Sequence, residues 1–246
     1  MTREGQLIEW QNDDVRVLVP YSVAGISTSA IVESKKREDI LLFDGGDGVL
    51  RDLFEIYGQS IVERLAVIAI THGHFDHMGG LHSILGFLRM LERTTPLDIL
   101  IPCDSIEVEG LVETFKACYT STTPFEIRLQ ELRPNAEFAI DLFGVKAFEV
   151  EHFGRESQPT GTLMPCFAYR VQIHDTTIAY SGDTRLCDGA RAAIQGADLA
   201  LVEATRKESP ERGLRVHLSE EEAISLGQLA KDYILIHQLP SIDNRN

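Results

Sequence analysis

Residues 71–80 read Thr-His-Gly-His-Phe-Asp-His-Met-Gly-Gly and follow directly on an apolar run, Leu65-Ala66-Val67-Ile68-Ala69-Ile70. The apolar run is typical of a buried strand, and the two glycines are typical of a turn that leads into a helix. Three imidazoles and one carboxylate stand within six positions of this stretch, and these are nitrogen and oxygen ligands of the kind that zinc accepts. The stretch therefore predicts a metal site at the end of a strand.

The spacing of these four side chains divides them into two pairs. In an extended segment His72 and His74 point to the same side, so both can reach one ion. Asp76 and His77 lie beyond the next bend and are available to a second ion. The alternative is a histidine-rich surface loop without metal, and the buried strand before the motif argues against it. The spacing predicts a site for two ions.

The composition bounds the class of protein. With 246 residues, of which 43% are hydrophobic, the chain can bury a sizeable core, and we interpret residues 1–246 as a single domain.

The start has no apolar signal region and no apolar run approaches the ~20 residues that span a bilayer, so we expect a cytoplasmic protein without membrane contact. The scattered cysteines predict buried free thiols. A net charge of −15 argues against a general polyanion-binding surface.

Apolar runs and turn residues predict the elements around the motif. The predicted strands are 30–34, 40–43, 97–101, 145–150, 166–173, 177–180, 199–203 and 233–236. The predicted helices are 81–91, 106–119 and a helix after Ser219 that carries Ala223, Leu226, Ala230 and Tyr233 on one face. The glycines of Asp44-Gly45-Gly46-Asp47-Gly48 allow a close approach to the metal motif. We interpret His82 as an ordinary helix residue and His174 as a turn residue, not as ligands.

Four further polar residues lie where predicted elements begin or end. Asp183 follows the strand 177–180, and Glu203 ends the strand 199–203. His217 stands just before Ser219, whose Ser-x-x-Glu spacing predicts a capping box at a helix N-terminus. His237 ends the last strand. Both carboxylates therefore lie where strands end.

The motif His72-Gly73-His74-Phe75-Asp76-His77 resembles the His-x-His-x-Asp-His motif of the metallo-β-lactamase superfamily. The resemblance implies an α/β fold, a four-layer αβ/βα sandwich of two mixed sheets flanked by helices, with a dinuclear metal site along one edge of the sheets. Hydrolases of β-lactams, thioesters, lactones and phosphodiesters share the motif, so the motif alone does not decide the reaction.

Most of residues 40–237 resemble the ribonuclease Z group of phosphodiesterases within this superfamily. The matching pieces are 42–48, the metal motif, His152, 179–185, 203–205, 217–219 and 234–237. The resemblance implies a first zinc ion held by His72, His74 and His152, a second held by Asp76, His77 and His237, and a bridging carboxylate, Asp183. It also implies that Glu203 and His217 form an acid pair at the leaving group.

These roles predict a dinuclear zinc hydrolase that cleaves phosphodiester bonds by a metal-bound hydroxide, with manganese or iron as alternative metals. Asp76 would accept the proton of the attacking water, and His217, oriented by Glu203, would protonate the leaving alkoxide. A thiolate leaves without such help, so the acid pair favours phosphodiesters over thioesters. Two alternatives stay open: a thioester or lactone hydrolase on the same metal centre, and a metal-binding protein without turnover.

The sequence also departs from the family pattern. Members that trim tRNA precursors carry a long, glycine-rich and basic arm between the positions that match His152 and Asp183, and only thirty residues separate these two here. The His-Glu-Ala-Thr stretch of the family reads Val202-Glu203-Ala204-Thr205. We therefore expect a phosphodiester substrate, either RNA 3′ ends or smaller and cyclic phosphodiesters, without a long tRNA-binding arm. Relatives of this type are often dimers, so a homodimer is a further expectation.

Overall fold

The computed structural model describes residues 7–154, 162–208 and 215–240. Its first sheet contains seven strands that are neighbours in chain order. They are β1 (Ile8–Gln11), β2 (Val15–Val23), β3 (Ser27–Ser34), β4 (Ile40–Phe43), β5 (Leu65–Ala69), β6 (Leu97–Pro102) and β7 (Ile127–Leu132). Strands β1 to β4 pair antiparallel, whereas β4 to β7 pair parallel. Parallel neighbours need crossover connections, which are usually helical.

The helices of this first half supply those crossovers and lie on one face of the sheet. They are α1 (Val49–Tyr57), α2 (Ile61–Arg64), α3 (Phe75–Met78), α4 (Leu81–Met90) and α5 (Ile106–Tyr119). Leu81, Ile84, Leu85 and Leu88 are buried on α4, as the helical spacing of leucines predicts. The predicted bounds of α5 agree with the structure.

The second sheet is built from the later part of the chain. The strands after β7 are β8 (Glu137–Ile140), β9 (Phe143–Glu149), the short pair β10 (His152–Phe153) and β11 (Leu163–Met164), β12 (Phe167–Ile173), β13 (Thr176–Tyr180), β14 (Leu199–Glu203) and β15 (Tyr233–Ile236). The order in the sheet is β15-β14-β13-β12-β9-β8. Helix α6 (Asp188–Ile194) connects β13 to β14, and α7 (Glu220–Gly227) connects β14 to β15, so these three strands are parallel.

Three apolar clusters hold the layers together. Along β4 the side chains alternate: Leu42 packs towards the helices of the first half, and Phe43 packs between the two sheets, as the period of a strand requires. The middle cluster joins the sheets through residues such as Tyr169 and Tyr180. A third cluster, rich in alanine, lies between the second sheet and helices α6 and α7. The predicted four-layer αβ/βα sandwich is confirmed.

Two hairpin predictions are also confirmed. Strands β3 and β4 pair antiparallel, and so do β12 and β13. His174 lies in the turn between the latter two with a φ of 51°, in the left-handed region that turn residues adopt. His174 is therefore a turn residue, as expected.

Two expectations were wrong. Helix α7 ends at Gly227, so Ala230 and Tyr233 do not share a helical face with Ala223. A Cβ atom at Gly227 would lie 2.6 Å from the ring of Tyr233, because the chain turns back here to begin β15. The free thiols are not all buried either: Cys118 is exposed on α5, although Cys166 is buried.

Some expectations stay predictions. Residues 155–161, within the interval between His152 and Asp183, lie outside the described part of the chain, so the absence of a long arm is still an expectation from sequence. The single domain, the cytoplasmic location and the homodimer are likewise untested. Among the described residues, none of the helices combines the length and apolar character needed to cross a membrane.

Candidate metal centre

The predicted site residues converge where the strands of both sheets end. The motif residues follow β5, Asp183 follows β13, Glu203 is the last residue of β14, and His237 follows β15. Carboxyl ends of parallel strands meet at one edge of a sheet, where ligand sites in α/β proteins usually form. The fold thereby brings together side chains that are far apart in sequence.

The first group of side chains contains three imidazoles. Nε2 of His72 lies 3.0 Å from Nδ1 of His74, and Nε2 of His152 lies 3.2 Å from the same Nδ1. His72 and His152 are buried, and His74 is half-buried. These three nitrogen atoms form a compact set that can hold one metal ion.

The second group contains Asp76, His77 and His237, all buried. Nε2 of His237 lies 3.2 Å from Nε2 of His77 and 3.3 Å from Oδ2 of Asp76. Imidazole nitrogens at about 2.0–2.1 Å from one tetrahedral zinc ion would be about 3.3 Å from each other. The contacts of 3.0–3.3 Å in both groups are close to this spacing, and Nε2 of His77 lies 3.9 Å from Oδ2 of Asp76.

Asp183 lies between the two groups. Its Oδ2 atom is 3.9 Å from Nε2 of His72 and 3.3 Å from Nε2 of His77, and its Oδ1 atom is 3.4 Å from Nδ1 of His237. The carboxylate is buried, and Oδ1 has no hydrogen-bond partner among the described residues. A buried, unsatisfied carboxylate oxygen is costly, and a shared cation is the partner that its position fits.

Hydrogen bonds outside the groups orient two of the imidazoles. The buried carboxylate of Asp44 accepts hydrogen bonds from Nδ1 of His77 (2.7 Å), the hydroxyl of Tyr180 (2.7 Å) and the hydroxyl of Thr71. The Thr71 oxygen lies 3.0 Å from Nδ1 of His72. Because Nδ1 of each histidine donates outwards, Nε2 keeps its lone pair for the ion.

The same arrangement recurs on the second sheet. The hydroxyl of Thr205 donates to Glu203 (2.7 Å) and accepts from Nδ1 of His237 at 2.8 Å. Nδ1 of His152 lies 3.4 Å from the carbonyl oxygen of Val216. His237 and His152 therefore also present Nε2 to the centre.

Burial and charge act in opposite directions on these groups. Burial lowers the pKa of His72 well below its usual range and that of His152 to about 3, which keeps both imidazoles neutral, the form that binds metal. Burial opposes ionisation of Asp183, but the charges of His237 and His77 lower its pKa well below the usual range. Burial likewise opposes ionisation of Asp76, yet its hydrogen bond with His237 helps to lower the pKa to about 2.

The buried carboxylates of this region favour the binding of a cation. Asp44, Asp76, Asp183 and Glu203 are buried within this region, and their ion-pair partners in the described part of the chain are histidines. Uncompensated buried charge is strongly destabilising. Divalent cations suit both the charge and the nitrogen and oxygen donor set.

A further pair of side chains lies beside the two groups. Nδ1 of His217 is 3.0 Å from Oε1 of Glu203 and 3.8 Å from Oδ2 of Asp183. Glu203 is fully buried and also accepts from the backbone N–H groups of Thr184 and Thr205. The carboxylate is rigidly held, so the imidazole that donates to it is oriented as well.

A cavity of about 390 Å³ opens over these residues. Its lining includes His74, Asp76, Asp183, His217 and His237. A second cavity, of about 530 Å³, lies at the opposite ends of the parallel strands of the first sheet and includes none of these side chains. The smaller cavity is therefore the one that gives access to the candidate metal centre.

Comparison with known proteins assigns the family. A family model described as the beta-lactamase superfamily domain matches residues 41–237, which is most of the chain. The chain belongs to the metallo-β-lactamase superfamily. The metal loop, residues 71–77, and the strand ends that carry the candidate ligands all lie within the matched region.

Relatives and solved structures of this superfamily agree with that assignment. Ribonuclease Z of Pyrococcus abyssi is 27% identical over 84% of this chain and 79% of its own length. The short form of human tRNase Z has a TM-score of 0.71 and 22% identity, covering 91% of this chain and 92% of its own. The metallo-beta-lactamase fold protein YhfI from Bacillus subtilis has a TM-score of 0.70 and 20% identity, covering 92% and 87%. The prediction of a metal-dependent hydrolase that resembles the ribonuclease Z group is confirmed.

The structure brings together every side chain predicted for the metallo-β-lactamase site. His82 lies outside it, exposed on α4 with its ring centroid 5.5 Å from that of Phe115. Sequence reasoning assigned no orienting role to Asp44, Thr71 or Thr205. All three lie at or near strand ends, as Asp183 and Glu203 do.

Sequence reasoning also missed a contact made by the turn between β2 and β3. The backbone N–H of Gly25 donates to Oδ2 of Asp76 at 2.7 Å, with Gly25 at a φ of 70°. The metallo-β-lactamase motif alone gives no signal for this contact. The contact follows from the packing of that turn over the metal loop.

Proposed function

We propose that this protein is a dinuclear zinc phosphodiesterase of the ribonuclease Z type. The observation that carries the proposal is the pair of Glu203 and His217, with a 3.0 Å contact, beside two groups of candidate ligands. A metal cluster by itself suits many hydrolases of the superfamily. An imidazole positioned by a buried carboxylate suits reactions whose leaving group needs a proton.

The residues that would hold the ions fall into the two groups described above. His72, His74 and His152 would hold the first ion, Asp76, His77 and His237 the second, and Asp183 would contact both. When bound, two such ions acidify water and neutralise the charge of a phosphodiester under attack. The same donor set accepts manganese or iron.

Asp76 has two proposed roles, ligand and proton acceptor. Its Oδ2 atom accepts from Gly25 and lies 3.3 Å from Nε2 of His237. The pKa of about 2 favours the ligand role, because proton acceptors work best when their pKa is close to the pH of the reaction. We therefore assign Asp76 as a ligand first and as a transient acceptor of the water proton second.

His217 supplies the proton to the leaving group in this mechanism. Since a carboxylate only accepts hydrogen bonds, Nδ1 of His217 carries a hydrogen towards Glu203, and Nε2 is the nitrogen that exchanges protons with the substrate. Glu203 stabilises the imidazolium form. Assistance of this kind contributes about 10²–10⁴ in rate, which an alkoxide leaving group requires.

Three observations support a small phosphodiester as the preferred substrate. The interval between His152 and Asp183 is short, the net charge is −15, and the cavity over the centre measures about 390 Å³. That volume is in the range of sites for small molecules. A long structured RNA needs additional basic surface to bind its phosphates.

Metal analysis followed by a substrate panel tests the proposal. We expect about two equivalents of zinc or a similar ion per chain and turnover of bis(p-nitrophenyl) phosphate, without comparable turnover of a thioester or a lactone. A cyclic nucleotide should be hydrolysed at least as efficiently as precursor tRNA. Preferred hydrolysis of the thioester or lactone would reject the phosphodiesterase assignment. A large kcat/KM advantage for precursor tRNA at near-physiological salt would reject the preference for a small phosphodiester and leave the phosphodiesterase assignment standing.

A further inference from the structure

Two chemically different sets of side chains line the cavity over the metal centre. Thr205, Arg206 and His217 contribute polar and charged groups, which we call the polar wall. Ala24, Phe75 and Leu239 contribute an apolar surface, which we call the apolar wall. A substrate that fits both walls carries an apolar group away from its reacting phosphate.

Phe75 is the aromatic residue of this apolar wall. It begins α3, whose next three residues, Asp76, His77 and Met78, are buried. Phe75 itself is 63% exposed. The side chains of Asp76 and His77 turn into the centre, so the ring of Phe75 stands at the mouth of the cavity, beside the second group of ligands.

Hydrogen bonds connect the three segments of the apolar wall, which distinguishes Phe75 from an isolated surface side chain. Leu239, which is 58% exposed, comes two residues after His237, and the carbonyl of Gln238 accepts from the N–H of Ala24 at 3.0 Å. The backbone N–H of Gly25 in turn donates to the side chain of Asp76. These two hydrogen bonds connect the segments that carry Ala24, Phe75 and Leu239, all of which line the cavity.

We propose that Phe75 is a stacking platform for a planar aromatic group, a nucleobase, on the phosphodiester that the site binds; this inference rests on the proposed function. Aromatic side chains bind bases of any sequence, because every base has a π-face. His217 lies on the polar wall, so the leaving group is placed there. The base on Phe75 therefore belongs to the nucleoside that keeps the phosphate after cleavage.

Equilibrium binding tests the platform without requiring turnover. The metal-loaded protein is titrated calorimetrically with thymidine 5′-monophosphate and with inorganic phosphate. Phe75→Ala should weaken binding of the nucleotide at least about fivefold and leave phosphate binding unchanged. Phe75→Leu should not restore the affinity, since leucine is apolar without a stacking face. Phe54→Ala, a truncation of another exposed aromatic residue that does not line this cavity, should bind both ligands like the unaltered protein.

Turnover provides the second readout. Thymidine 5′-p-nitrophenyl phosphate and methyl p-nitrophenyl phosphate share a leaving group, so Phe75→Ala should lower kcat/KM at least about fivefold for the first and not for the second. Equal nucleotide affinity in Phe75→Ala and the unaltered protein, or full rescue by Phe75→Leu, would overturn the platform. Loss of turnover of both esters in the metal-loaded protein, with nucleotide binding still dependent on Phe75, would instead reject the proposed reaction and keep the platform.

Discussion

The two halves of the molecule build the candidate metal centre in different ways. The first half contributes the metal loop, residues 71–77, in which His72, His74, Asp76 and His77 stand within one short segment after β5. The second half contributes what we call the second-sheet group, whose members lie on separate segments. These members are His152, Asp183, Glu203, His217 and His237.

Different contacts hold the two sets of side chains in place. Backbone contacts with the turn after β4 hold the metal loop, since the N–H of Gly45 donates to the carbonyl of His77 and the N–H of Gly80 donates to that of Gly45. Asp183, Glu203 and His237 of the second-sheet group depend instead on the pairing of β13, β14 and β15, and His152 lies on the short pair of β10 and β11. The ligands of the metal loop are neighbours in sequence, whereas the members of the second-sheet group meet only in the assembled fold.

Removal of a ligand from the metal loop should have the largest effect. His74→Ala takes away the nitrogen that lies near both His72 and His152. We expect the protein to lose most of its metal and nearly all activity, more than the about 10–100-fold loss for a group that only orients a ligand. Metal analysis and phosphodiester hydrolysis measure both. His82→Ala is the matched control, and a fully loaded, active His74→Ala protein would refute the ligand assignment.

A change in the second-sheet group should separate catalysis from metal binding. His217→Ala should keep both metals and lose about 10²–10⁴ in rate with an alkoxide leaving group. With dithymidine monophosphate the leaving group is an alkoxide, and with thymidine 5′-p-nitrophenyl phosphate it is a phenolate that needs little protonation. The loss should therefore shrink for the second ester.

Glu203→Gln should act in the same direction as His217→Ala but more mildly, because it weakens the 3.0 Å contact that orients the imidazole without removing the ring. Kinetics with the same two esters measure the effect. Equal losses for both leaving groups, or loss of metal from His217→Ala, would assign His217 as a ligand or a structural residue.

The orienting residues of the two halves allow a direct comparison. Asp44→Asn removes one acceptor oxygen from a carboxylate that binds His77, Thr71 and Tyr180, so metal affinity should fall about 10–100-fold. Thr205→Val removes a neutral hydroxyl beside His237 and should act at the lower end of that range. Competition with a chelator measures the metal affinity of both variants. A larger effect of Thr205→Val would contradict the expectation that a charged carboxylate orients its ligand more strongly than a neutral hydroxyl does.

Two glycine substitutions test the packing of the metal loop, with the smallest expected effect. A Cβ atom at Gly46 would lie 2.2 Å from the carbonyl oxygen of Asp76, so Gly46→Ala should reduce the free energy of unfolding by about 1–3 kcal/mol. Gly86 has nothing within 4 Å of such an atom and lies in α4, where Gly86→Ala should raise it by up to about 1 kcal/mol. Thermal unfolding of both variants measures the difference. Equal melting temperatures would show that the metal loop can shift to accommodate the added Cβ atom at position 46 without loss of stability.

Three elements that sequence reasoning missed, β2, β8 and α6, differ in how clearly their residues indicate a strand or a helix. Strand β2 begins with Val15-Arg16-Val17-Leu18-Val19, a β-branched run that predicts a strand. Strand β8 is four residues long with no buried side chain, and an edge strand of this kind has little pattern. Helix α6 contains Gly189, where a Cβ atom would meet the carbonyl oxygen of Glu149, so its small residues reflect tertiary contact with β9 rather than helix propensity.

The sequence by itself determined the metal loop, because residues 71–77 place ligand atoms together through local geometry, with the apolar run 65–70 to bury the strand before them. The resemblance to the ribonuclease Z group also identified Asp183, Glu203 and His237, each of which lies at the end of a strand. Only the tertiary structure decided which nitrogen of each histidine faces the centre and that Asp44, Thr205 and Gly25 support the ligands. Those contacts join residues that are far apart in sequence, such as His77 and His237, which are 160 positions apart, and a local sequence pattern does not specify how two sheets pack.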